Sequence, residues 1–170
     1  MIKPIYNSFE QATGVINDLL AVDYFLAKEV VNSVLYCKEQ YADLTLNVNL
    51  PTNSNDYGTL FHVVIALSQF IQQGHTCLPI KNIAGSRFAS STDLDGNIDK
   101  QGYAFPTIEQ LESLLAKLPF LPENNSLLVF HQGCLYLRRY YLFEQELSIA
   151  LNNKMVSNNR FSVTDIAQTL

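Results

Sequence analysis

Gly-Lys occurs nowhere in this 170-residue sequence, so the phosphate-binding loop G-x-x-x-x-G-K-[ST] is absent. Its lysine is the group that reaches nucleotide phosphates, and without it a P-loop nucleotide site is excluded from these residues. No G-x-G-x-x-G is present either, which removes the dinucleotide fingerprint. Cysteine is sparse and odd in number (Cys37, Cys77, Cys134), too few for a disulfide framework, so a reducing, cytoplasmic setting is expected. Long apolar runs are missing as well. The longest, Leu60 to Ile71, is interrupted by His62, Ser68 and Gln69 and falls short of the ~20 residues of a membrane span. Met1 to Glu10 lacks the basic start and apolar run of a signal peptide. Positive charge is scarce too. The net charge of −5 lowers the expectation of nucleic-acid binding, whose affinity comes largely from phosphate contacts and counterion release.

What is present reads as one ordinary globular unit, large enough for a core without staples. Ser8 followed by Gln11 is a capping box that opens a helix through about Leu20. A second helix is expected over Val22–Gln40, with Val22, Phe25, Leu26, Val30, Val34 and Leu35 as its buried face. Asn47–Asn55 reads as a loop, and Asp56 as the cap of a core helix from Gly58 to Gln73, stopped at Gly74. His75–Ile80 is expected as a short strand that Pro79 confines to an edge. Ser86–Gly102, polar and turn-rich, is expected to be a mobile surface excursion.

Thr107 with Gln110 forms a second capping box before Ile108, Leu111, Leu114, Leu115 and Leu118, the buried stripe of a helix that Pro119 and Pro122 stop. Two apolar runs, Ser126–His131 and Cys134–Arg138, flank Gln132-Gly133 and predict a β-hairpin. Glu144–Asn152 is helical again, and Ser162 with Asp165 opens a further helix about two turns before Leu170. The fold class expected is therefore α+β: mainly helical, with a short edge strand and a small antiparallel β-hairpin in a winged-helix-like order. A pattern that stops two turns into a helix suggests that a longer protein continues.

Candidate chemistry is thin. His75 with Cys77 and His131 with Cys134 could together supply four zinc ligands, but neither pair has the C-x₂-C spacing of common zinc modules. The reading as core or rim residues is preferred. His62 on the apolar helix reads as a hydrogen-bonded core histidine rather than a base. The carboxylates Glu10, Asp18, Asp23, Glu29, Glu109, Glu112, Glu144 and Glu146 read mostly as helix-surface charges, with no acid/base pair among them. Were the fold to read DNA, Thr107–Leu118 would be the recognition helix and Gln132-Gly133 the wing tip. Glu109 and Glu112 against the single Lys117 oppose that use. Arg138 and Arg139 beside Tyr140 and Tyr141 are the one basic-aromatic cluster. It could stack single-stranded bases, or simply pack the hairpin.

Two segments carry a family resemblance. Gly74-His-Thr-Cys-Leu-Pro-Ile80, after an apolar helix, resembles the Gly-His-x-Cys-Leu-Pro segment of the RecD family, the alpha subunits of exodeoxyribonuclease V. Gly133-Cys-Leu-Tyr-Leu-Arg-Arg-Tyr-Tyr-Leu-Phe-Glu144 is similar to the stretch in which that family makes a hairpin and enters a helix. Leu19–Ala27, with Asp23, resembles an early helix of the family. Ser162–Leu170 resembles a helix shortly before its ATPase core, whereas Ser86–Gly102 departs from the family's pattern and does not align with it.

The resemblance implies a single N-terminal accessory domain over 1–170, cut before the helicase/ATPase core. The whole protein would be a 5′–3′ DNA helicase using ATP and Mg²⁺ within a RecB–RecC–RecD heterotrimer that processes double-strand breaks. DNA would be contacted mainly by the missing helicase domains, and no membrane is involved. This domain would hold no catalytic, cofactor or metal residue and would anchor the subunit to RecC. Tyr136, Arg138, Arg139, Tyr140 and Tyr141 are the candidate interface residues, because strand alternation would leave at least one arginine and one tyrosine facing outward. The other two classes weighed are a winged-helix nucleic-acid binder and a small zinc or thiol enzyme.

Overall fold

The computed structural model describes residues 5–41, 54–120 and 126–158. The helices are α1 (Phe9–Thr13), α2 (Ala21–Tyr41), α3 (Ser54–Gln72), α4 (Ile108–Ala116) and α5 (Arg138–Asn158). The strands are β1 (Cys77–Pro79), β2 (Arg87–Phe88), β3 (Ser91–Thr92), β4 (Ile98–Lys100), β5 (Tyr103–Ala104), β6 (Leu128–His131) and β7 (Cys134–Leu137). This is the α+β class expected, with a three-stranded antiparallel sheet in the order β1-β7-β6 and a separate two-tiered ribbon. No helix among the described residues is long and apolar enough to cross a membrane.

The core is built around α3, whose residues from Thr59 to Ser68 are all buried. A helix that apolar all round must be enclosed. It ends where glycine permits a left-handed residue: Gly74 has φ +93°, and the His75 and Gly74 amides bond back to Phe70 and Ile71 carbonyls. This pairing of crossed bonds caps the last orphan carbonyls. Its start lies earlier than expected. Ser54 and Asn55 belong to the first turn, and Asp56 sits inside the helix as an acidic first-turn residue rather than as its cap. The rest of the expected Asn47–Asn55 loop lies outside the described residues, as do Pro122 and the Ser162–Leu170 helix.

α2 packs along α3 through Tyr24, Ala27, Val30, Val31 and Val34. Val22 and Phe25, expected inside, are 59% and 57% exposed. The reason is Asp23, one of the carboxylates expected mostly at helix surfaces, which is fully buried. One carboxylate oxygen accepts from the Leu20 amide at 3.1 Å and the other from Gln72 Nε2 at 2.6 Å. Satisfying that acid at the α2–α3 junction turns positions 23 and 24 inward and 22 and 25 outward.

Ser8 does cap α1, its Oγ accepting from the Gln11 amide at 3.2 Å. The helix stops at Thr13 rather than near Leu20, because Gly14 closes it and Asp18 adopts φ +53°. The capping box at Thr107 is present, with Gln110 Oε1 accepting from the Thr107 amide at 3.2 Å, and Leu111, Leu114, Leu115 and Leu118 are buried beneath.

Ser86–Gly102 is not a mobile excursion but the larger part of a paired ribbon. Arg87 lies opposite Ala104, Phe88 opposite Tyr103, and Ser91 opposite Lys100. Its tip is closed by Asp93, whose carboxylate accepts from the Asp95 and Asn97 amides. Its base is tied to the segment after α1, the Asn17 amide donating to Ala89 and the Gly102 amide to Val15, each at 2.8 Å.

Candidate interaction surface at the hairpin and α5

Gln132 (φ +49°) and Gly133 (φ +72°) form a two-residue turn with both residues left-handed, the geometry that matches strand twist. It sets the register of β6 on β7: His131 opposite Cys134, Phe130 opposite Leu135, Val129 opposite Tyr136 and Leu128 opposite Leu137. On β7's other side Cys77 lies opposite Tyr136 and Pro79 opposite Cys134, so β1 is an edge strand, as Pro79 requires. Because side chains alternate, Leu78 and Leu135 point into the core, fully buried, and Cys77, Cys134, Tyr136 and His131 share the opposite face.

The root of α5 covers that opposite face. The helix begins at Arg138, directly off β7 and six residues before the expected start at Glu144. Tyr136 lies on β7, and helical rather than strand periodicity therefore distributes the other four candidates, Arg138, Arg139, Tyr140 and Tyr141. The Tyr141 ring meets His131 at 5.6 Å and Tyr136 at 5.5 Å, both edge-on. Glu144 accepts a hydrogen bond from the Thr76 hydroxyl. The Arg138 amide donates to the Leu127 carbonyl at 2.9 Å, and its Nε to the Ser126 carbonyl at 2.6 Å, clamping the start of β6 to the start of α5. Arg139 is exposed and pairs with its neighbour, its guanidinium 4.7 Å from the Tyr140 ring centroid. Tyr136, Arg138 and Tyr141 thus knit the hairpin to the helix, whereas Arg139 is exposed and stacks on the half-buried Tyr140.

Removing the Arg138 clamp is expected to cost about 1–2 kcal/mol, the worth of a partly buried hydrogen bond to a charged donor together with its packed stem. Urea titrations of Arg138→Ala and Arg139→Ala test this. The first should lower the midpoint and the second should leave it unchanged; equal midpoints would contradict the division of roles.

Beyond Glu144 the described part of the helix is open. Every residue from Gln145 to Met155 is exposed. Phe143, Leu147, Leu151 and Met155 recur every fourth position and are 59%, 47%, 52% and 67% exposed, which makes an apolar ridge continuing from the Arg139–Tyr140 pair. Sequence reasoning missed this ridge. The four-residue spacing was legible, but nothing in a single sequence tells a core-facing stripe from an uncovered one.

The other candidates fall elsewhere. His75 packs on Phe70 at 5.2 Å, apart from the Cys77–Cys134 face, and no three His, Cys, Asp or Glu among the described residues could hold a metal. Burial, then neighbouring Cys134, pushes the Cys77 thiol pKa up, and burial, then Cys77, raises that of Tyr136, so both are neutral near pH 7. His62 is buried and hydrogen-bonded, as expected of a core histidine. Its Nδ1–H donates to the Gly58 carbonyl at 2.7 Å and its Nε2 accepts from the Tyr6 hydroxyl at 2.9 Å. Its ring stacks on Tyr103 at 3.8 Å. The outer face of α4 presents Glu109 and Glu112 to solvent.

Comparison with known proteins bears on the whole of this arrangement. A family model described as the N-terminal domain of RecD, a subunit of the RecBCD enzyme, matches residues 40–136. The matched span holds α3, the sheet edge β1, the ribbon, α4 and the hairpin up to Tyr136, and leaves Arg138–Tyr141 and the rest of α5 outside it. Neither a curated protein nor a solved structure matches the chain. With more than half of its residues inside that match, the chain belongs to the family of RecD N-terminal domains.

Proposed function

We propose that this chain is a non-catalytic anchoring domain, which fastens a 5′–3′ DNA helicase subunit to RecC within a RecB–RecC–RecD assembly. ATP and Mg²⁺ would serve the motor part of such a subunit, not these residues. The observation that carries the reading is the exposed Arg139, stacked on the half-buried Tyr140, at the root of a helix whose residues from Gln145 to Met155 are all exposed. Arginine and tyrosine are the residues most often found as interface anchors: the guanidinium forks onto a carboxylate while the ring fills a recess. The other members of the cluster, Tyr136, Arg138 and Tyr141, would support that pair from behind by fixing α5 on the sheet. A nucleic-acid role finds less support. The outer face of α4 carries two glutamates and the chain is acidic overall, whereas phosphate contacts need a basic stripe.

Retention of the chain on immobilised RecC tests the reading, with Arg139→Ala and Tyr140→Ala compared against the parent. Truncating a true anchor commonly costs ~2 kcal/mol of binding or more. Both variants should melt like the parent and bind RecC more weakly. If the parent is not retained at all, the anchoring role falls.

A further inference from the structure

We infer that Cys77 and Cys134 form a redox-sensitive dithiol, which a hydroperoxide closes into a reversible disulfide between β1 and β7. The two residues are far apart along the chain, and the sheet order β1-β7-β6 brings them together. The inference is independent of the anchoring role.

Strand register supplies the geometry. Cys77 lies opposite Tyr136 and Pro79 opposite Cys134, so the cysteines occupy a diagonal of one face. The Ile80 amide donates to the Gly133 carbonyl at 3.0 Å, and hydrogen-bonded and narrow pairs alternate along an antiparallel ladder. Cys77–Tyr136 and Pro79–Cys134 are therefore narrow pairs, where side chains stand closest. The Cys77 thiol is hydrogen-bonded to the Cys134 thiol and accepts a second bond from the Tyr136 hydroxyl. Both thiols are half-buried, open enough for a small oxidant, and neither is bridged. Among the described residues no third His, Cys, Asp or Glu joins them as a metal site.

With hydrogen peroxide as the hydroperoxide, the chemistry balances. Burial, then neighbouring Cys134, holds Cys77 protonated near pH 7, which suits it to the second step. The Cys134 thiolate attacks the peroxide: an S–O bond forms, the O–O bond breaks, and the hydroxide released takes up a proton as water. Cys77 sulfur then attacks the sulfenic sulfur of Cys134. The S–S bond forms, the S–O bond breaks, and the leaving hydroxide carries off the Cys77 proton as a second water. Two thiols are oxidised and one peroxide is reduced.

A diagonal pair is wider than the ~5.5–6 Å between Cα atoms that a relaxed disulfide prefers, so closure must draw β1 towards β7. β1 can give, being a three-residue edge strand in which Pro79 donates no ladder bond. Strain makes the bond easy to reduce, the property of labile rather than structural disulfides. β7 runs directly into α5, and Tyr136 carries Tyr141 at 5.5 Å, so closure pulls on the root of that helix.

The test treats the whole chain with hydrogen peroxide, alkylates the remaining thiols and maps the links by peptide mass spectrometry. Cys37, the third cysteine, is the internal competitor. In the folded chain the Cys77–Cys134 link should exceed either link to Cys37 by about ten-fold or more, since thiols in contact have an effective concentration that a flexible chain cannot match. It should form within one chain and reopen in glutathione. In urea the three pairings should mix, because loop-closure entropy varies slowly with loop length. Cys77→Ser should leave Cys134 as a sulfenic acid that dimedone labels. Pairing in the folded chain no more selective than in urea would overturn the inference. So would links to Cys37 or between chains as the main product, or a link that glutathione leaves closed.

Discussion

Lowering the pH from 7 to 4 is expected to remove up to roughly 3 kcal/mol of stability through His62 alone. The side chain is only 2% exposed, and burial lowers its pKa to about 4 from an ordinary value near 6.5; the hydrogen bond to the Gly58 carbonyl pulls weakly the other way. Between those two values the unfolded chain takes up a proton that the folded chain refuses, so stability rises with pH across the window. It is fully present above about 6.5 and lost as pH falls towards 4. The hydrogen bonds around the buried ring fix its neutral tautomer. Nδ1–H already serves Gly58, so in the neutral ring Nε2 is bare and accepts from Tyr6; protonation would require that hydroxyl to turn and accept instead, and would leave a charge in a buried site. Stacking of the ring on Tyr103 leaves little room for water to relieve the charge. Urea titrations at pH 7, 5.5 and 4 would read this directly. His62→Gln should be less stable at pH 7 and show a shallower decline; a decline as steep as the parent's would assign the pH dependence to other groups.

Gly102→Ala should destabilise the chain by about 3 kcal/mol or more, beyond the usual range for adding one methyl to a tight site. Gly102 has φ +66°, and a Cβ there would stand 2.2 Å from the Phe88 carbonyl oxygen and 2.7 Å from the Ser90 amide nitrogen. Both are backbone atoms of the facing segment from Phe88 to Ser90, so no side-chain rotation relieves the clash. The ribbon would have to part at the point where its base is tied to Val15 and Asn17. Tyr103 follows directly, and its hydroxyl donates to Thr59 Oγ1 at 2.8 Å while its ring covers His62, so the damage reaches the core. Gly96→Ala is the control. That glycine has φ +82° with nothing within 4 Å, and left-handed strain alone costs about 1–2 kcal/mol. Equal losses for the two variants would mean that the ribbon base is not the tight contact described.

The features legible in the sequence share one property: each is enforced within a few residues. Ser8 and Thr107 cap helices because a side chain reaches an amide three positions on. Gly74 ends α3 and Gln132-Gly133 turns the hairpin because those backbones need positive φ. Pro79 marks an edge because it has no amide to donate. The misreadings share the opposite property. Val22 and Phe25 fit a buried stripe as well as Tyr24 and Ala27 do, and only the Asp23–Gln72 bond, across 49 positions, decides between them. Ser86–Gly102 has loop composition, yet its pairing depends on contacts with Ala104 and Val15 beyond its ends.

The candidate surface divides in the same way. The sequence alone placed an arginine-tyrosine cluster after a hairpin, and its short blocks resembled the RecD family to which the chain belongs. It determined local geometry and kinship, because both are written in residues adjacent along the chain. Tertiary structure decided that α5 starts at Arg138, which turns Tyr136 and Tyr141 into packing and leaves Arg139 exposed against the half-buried Tyr140. It also decided that Phe143, Leu147, Leu151 and Met155 stand exposed among the described residues. A periodic apolar stripe states that a helix has a face to bury; whether the domain itself supplies the cover depends on where the helix leaves the sheet.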